Sequence, residues 1–93
     1  MGQENINYLL SAYFHQDWRC DANSADEIII NFKNFESPKT VEKLRNEIDN
    51  LLLLNQEIGQ NFIYENDGNY NPNTDGLSVT EWFKRILQLL TEP

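Results

Sequence analysis

The sequence predicts an all-α fold, a compact single-domain bundle of four to five short helices over residues 1–93. Three observations predict it. Apolar residues recur at spacings of three and four along most of the chain, the period of one helix face. Ser24 and Ser78 each stand three residues before a glutamate, and Ser37 stands before Pro38, so three helix starts are marked. No internal repeat and no alternation of strands with helices competes with that reading. A chain of 93 residues buries roughly 60–65% of its unfolded surface, which suffices for one core.

The first helix is expected from about Asn5 to Phe14, where Ile6, Leu9, Leu10, Tyr13 and Phe14 share a face. His15 to Trp18 follow directly, and the polar cluster Arg19 to Asn23 breaks the pattern. Ser24 and Glu27 can cap one another, opening a helix with Ala25, Ile28, Ile29, Phe32 and Phe35 on its apolar face. The run Ile28-Ile29-Ile30 suits a strand by propensity, but alternation fails at Asn31-Phe32, which favours helix. Ser37 as N-cap and Pro38 at the first helical position start the longest helix, lined by Val41, Leu44, Ile48, Leu51 and Leu52 and ending near Asn55. On it, Arg45 and Asp49 are spaced to pair. Between Glu57 and Tyr64 a short helix competes with Gly59. Glu65 to Gly76 is rich in Asn, Asp and Gly and reads as a loop, long enough to be functional. The last helix opens with the Ser78–Glu81 box and a Leu77–Trp82 staple. It carries Trp82, Phe83, Ile86, Leu87, Leu89 and Leu90 on a broad face and spaces Glu81 to pair with Arg85.

Charge narrows the function. Fifteen acids oppose seven bases, for a net charge of −8 and a pI near 4.4. Direct nucleic-acid binding is excluded, because phosphate contacts need Lys and Arg, and an anionic membrane surface would repel the chain. Acidity alone can serve solubility. Its distribution says more: from Asn46 to Phe83 there are seven acids and no Lys or Arg. Such a one-sided field steers basic partners. No run of apolar residues spans a bilayer, no secretory n-region or h-region is expected, and the single Cys20 cannot close an internal disulfide. A cytoplasmic location is expected.

Catalytic chemistry is hard to assemble. Cys20 beside Arg19 could titrate low, but a Cys–His pair with His15 needs a third, orienting group. One Cys and one His make no zinc site. Asn71, Asn73, Asp75 and Gly76 fall on positions 1, 3, 5 and 6 of a calcium loop, yet Trp82 stands at position 12, where a bidentate Glu belongs. The expectation is a binding protein, not an enzyme, with no metal, no cofactor and no small-molecule substrate.

The segment Tyr13-Phe14-His15-Gln16-Asp17-Trp18 after a short amphipathic helix resembles the contact-dependent growth inhibition immunity proteins. The likeness extends to the Ser37-Pro38 helix, Tyr70-x-Pro72 and a last helix opening with Trp82-Phe83. The resemblance implies a small cytoplasmic protein that neutralises a toxin domain, often a nuclease, carried at the C-terminus of a large surface exoprotein. A nuclease holds phosphates on a basic surface, which an acidic partner can occupy. The alternative is an acidic helical adaptor or regulatory protein, such as an anti-activator or a nucleic-acid mimic; a toxin gene directly upstream would discriminate the two.

Within the motif, Tyr13, Phe14 and Trp18 read as core aromatics, with His15, Gln16 and Asp17 capping or satisfying them. Toxin contacts are expected instead in the acidic stretch: Glu65, Asp67, Tyr70 and Asp75 foremost, with Tyr64 as a second rigid aromatic and Glu47 and Asp49 as weaker candidates.

Overall fold

A computed structural model describes residues 3–55 and 57–91. Among these residues all regular structure is helical, as the sequence predicts. Helix α1 (Glu4–Tyr8) has no cap from its own sequence neighbours. The carboxylate of Glu47 performs that task from the middle of a distant helix. It accepts the backbone N–H of Asn5 at 2.8 Å and of Ile6 at 3.0 Å, and the Asn5 side-chain amide at 2.6 Å. Two of the N–H groups that a helix start leaves unpaired are thereby satisfied, beside the positive end of its dipole.

The predicted uniform helix from Asn5 to Phe14 is corrected beyond Tyr8. Residues Leu9–Tyr13 form a π-helical turn, closed by the Phe14 N–H on the Leu9 carbonyl at 3.2 Å. The Ser11 hydroxyl bonds back to the Asn7 carbonyl at 2.8 Å, competing with the regular ladder. The wider turn sends Leu9, Leu10 and Phe14 fully into the core while Tyr13 faces Phe32. The polar run after Trp18 also contains a one-turn helix, α2 (Trp18–Asp21).

Helix α3 (Ala25–Phe35) starts as predicted, with the Ser24 hydroxyl accepting the Glu27 N–H at 3.2 Å. It buries Ala25, Ile28, Ile29 and Phe32. Phe35, expected on that face, is 86% exposed, because at the helix end its stripe with Ile28 and Asn31 borders an open depression instead of another helix. Helix α4 (Pro38–Leu54) is capped by Ser37 and carries Pro38 at its start; Val41, Leu44, Ile48 and Leu51 are buried. Helix α5 (Gln60–Glu65) resolves the ambiguous segment as helix, with Gly59 at its N-cap and not in its interior.

Helix α6 (Val79–Thr91) opens with the complete capping box: Glu81 accepts the Ser78 N–H at 2.8 Å and the Ser78 hydroxyl accepts the Glu81 N–H at 3.1 Å. It packs against both α3 and α4, and α1 packs against α4, around one continuous apolar cluster. Among the described residues neither predicted intrahelical ion pair is present. Glu81 is spent on the cap, Arg85 crosses to Asp26 on α3, and Arg45 makes no ion pair with Asp49. Among the described residues no helix is long and apolar enough to cross a membrane.

Candidate partner-binding surface

The motif residues divide into core and cap. Phe14 is fully buried and Trp18 is 5% exposed. Phe14 lies 5.5 Å from the Trp18 ring, 5.5 Å from Tyr70 and 5.3 Å from Trp82, so both belong to one aromatic cluster. The Trp18 indole N–H donates to the Asn69 carbonyl at 3.1 Å, and the Asn69 N–H donates to the Phe14 carbonyl at 2.9 Å. These bonds fasten the acidic loop to the motif. The hydroxyls of Tyr13 and Tyr8 both donate to Glu36, at 2.6 and 2.8 Å. Burial, then the Glu36 contact, pushes the Tyr13 phenol well above its ordinary range; for Tyr8 the hydrogen bond to Glu36 is the main cause of a rise.

His15 is a cap. Its Nδ1 accepts the Asp17 N–H at 3.1 Å, which leaves the proton on Nε2 to meet Asp21 at 2.8 Å. Both nitrogens are thereby engaged, and neither is left to activate Cys20, which lies exposed on α2. Gln16 and Asp17 are exposed. In the calcium-like loop, the Asn71 side chain accepts the Asn73 N–H and Asp75 accepts the Tyr70 hydroxyl, so turn and core claim those oxygens. Among the described residues no three His, Cys, Asp or Glu side chains gather as a metal site.

The acidic stretch runs from the second half of α4 through α5 and the loop that follows into the start of α6. Helix α5 ends in a Schellman turn: the Gly68 N–H reaches the Ile63 carbonyl at 2.9 Å and the Asp67 N–H reaches that of Tyr64 at 3.0 Å. Asp67 takes the left-handed conformation (φ 65°) that such a turn requires, and its carboxylate projects from a sharp corner. Tyr64 is 54% exposed, and Glu65, Asp67 and Asp49 are exposed. Tyr64, Glu65 and Asp67 thus form one presented corner.

Two candidates are corrected. Tyr70, expected as an exposed anchor, is 2% exposed, with its ring against Phe14, Trp18 and Trp82. Its phenol rises well above the usual range through burial, then through the bond to Asp75 and the charges of Asp75 and Asp26, opposed by Arg19. Glu47 is committed to the start of α1. Asp75 remains exposed, positioned by Tyr70 at 2.5 Å. The sequence offers Arg85 as a partner of Glu81 and Arg19 as a neighbour of Cys20, and gives Asp26 no role. Arg85 grips Asp26 through Nε and the second guanidinium nitrogen, and Arg19 lies 5.3 Å over the Trp18 ring. Only the nearness of Arg19 to Trp18 is visible in the sequence.

The sequence model of a family described as CdiI immunity protein matches residues 3–90. A chain in the solved crystal structure of a CdiA-CT/CdiI complex from Y. kristensenii 33638 superimposes with a TM-score of 0.86 and 26% identity, covering 98% of this chain and 100% of that one. No curated protein matches.

Proposed function

The chain belongs to the CdiI immunity protein family, and from that premise we propose that it neutralises a cognate CdiA C-terminal toxin domain by covering a basic, nucleic-acid-binding face of that domain. It acts as a stoichiometric inhibitor and not as an enzyme, in the cytoplasm of the cell that makes it. The solved relative is a chain of a toxin–immunity complex, which supports the partner class. The observation that carries the electrostatic reading is the stretch from Asn46 to Phe83, with seven acids and no Lys or Arg, two of them, Glu65 and Asp67, raised on the α5 corner. A nuclease presents the opposite charge wherever it holds phosphate.

The test is a titration of the cognate toxin domain with this protein, followed by cleavage of RNA and DNA. Nuclease activity is expected to vanish at one equivalent. A complex that forms yet cleaves at the free rate, or a toxin domain that cleaves neither substrate, overturns the reading.

A further inference from the structure

A groove runs along the surface where the 3-10 turn Pro72–Asp75 faces the α2–α3 connection. It consists of two adjoining depressions of about 360 and 420 Å³ that share Ser24, Ala25, Tyr70 and Asp75. Trp82 borders one depression and Trp18 the other, so the Tyr70 phenol lies between two indoles. Two carboxylates and two guanidinium groups line the groove. Asp26 is gripped by Arg85. Arg19 rests over the Trp18 ring. Asp75 differs: one oxygen, Oδ2, accepts the Tyr70 hydroxyl at 2.5 Å, and among the described residues no cation lies within ion-pair distance of it.

The groove therefore holds one carboxylate with no ion-pair partner among the described residues, fixed in direction by the Tyr70 hydroxyl, with the Arg19 guanidinium lining the same depression. That combination suits one class of ligand. A guanidinium or ammonium group can meet the free carboxylate oxygen, and a carboxylate already held in one orientation loses little freedom on binding.

We propose that this groove receives an Arg or Lys side chain of the toxin domain, with Asp75 as its counter-ion and Tyr70 as the positioning residue behind Asp75. This rests on the toxin-binding reading above and gives it a specific contact. The net charge of −8 favours a basic partner, and the groove supplies the place where one cation is desolvated instead of merely attracted.

The experiment measures binding of the full chain to its cognate toxin domain by surface plasmon resonance, with circular dichroism melting of every variant. Asp75→Asn is expected to weaken affinity on the order of 10–100-fold, mostly through faster dissociation. Tyr70→Phe keeps the ring in the aromatic cluster and removes only the hydroxyl. It is expected to weaken affinity several-fold, and to add nothing further when Asp75 is already Asn, since its effect runs through that carboxylate. Wild-type affinity for both single variants, or a Tyr70→Phe effect that persists in the Asp75→Asn background, overturns the groove assignment and leaves toxin binding intact. A wild-type protein that fails to bind its toxin overturns both.

Discussion

Trp18 does two things with one side chain: its ring closes the aromatic cluster and its indole N–H holds the Asn69 carbonyl. Trp18→Ala is accordingly expected to cost ~3–5 kcal/mol of stability, measured by denaturant unfolding, a larger loss than the loss of toxin affinity in the folded fraction. Unchanged stability with lost binding would move the motif to the interface. His15→Ala, which removes an exposed turn cap, is expected to cost far less. Helical spacing identified Phe14 and Trp18 as core. Tyr70 escaped because it sits in an Asn-, Asp- and Gly-rich segment with no periodicity, where composition indicates a loop and says nothing about depth. The side chains that bury it, Phe14, Trp18 and Trp82, lie far from it in the chain and arrive only with the fold.

At the scale of single elements, the legible features were local. The Ser24, Ser37 and Ser78 caps each use a residue three positions on, so the sequence displays them directly. The Glu47 cap of α1 spans 42 positions and has no local signature, and the π-helical turn preserves the same apolar spacings as an α-helix. Two predictions follow from these elements. The Glu81 carboxyl is held below its ordinary value by the Ser78 backbone N–H and then the Ser78 hydroxyl. Its folded value being the lower one, the cap stabilises α6 above the ordinary carboxylate value and is lost as pH falls through the folded value. The melting-temperature gap between wild type and Glu81→Gln should therefore be widest near neutral pH and close in acid; a gap that widens in acid contradicts the assignment. Gly68 closes the α5 turn against Ile63, and a Cβ there would come within 2.6 Å of Ile63 Cγ2 and 3.2 Å of Leu10 Cδ2. Gly68→Ala is expected to cost ~1–3 kcal/mol in denaturant unfolding. Asp67→Gly, by contrast, keeps the left-handed corner and removes only the carboxylate, which makes it a clean probe of that charge.

For the whole molecule, two kinds of negative charge can be separated by kinetics. Asp49, Glu65 and Asp67 are exposed and have no cation within ion-pair distance among the described residues, so they add to a long-range field without shaping a pocket. Asp75 sits in a groove and is held by Tyr70. Charges of the first kind act over distances that salt screens, with a Debye length of about 10 Å at 0.1 M ionic strength. They speed encounter and scarcely affect residence time. Neutralising them together as Asp49→Asn, Glu65→Gln and Asp67→Asn should slow association several-fold at low salt, leave dissociation nearly unchanged, and lose its effect toward 1 M salt, where screening has already removed the wild-type advantage. Asp75→Asn should give the opposite pattern, with faster dissociation at every salt concentration because its contact is short-ranged and partly desolvated. If the triple variant dissociates faster and Asp75→Asn does not, the α5 corner is the docked surface and the groove is only its acidic surroundings.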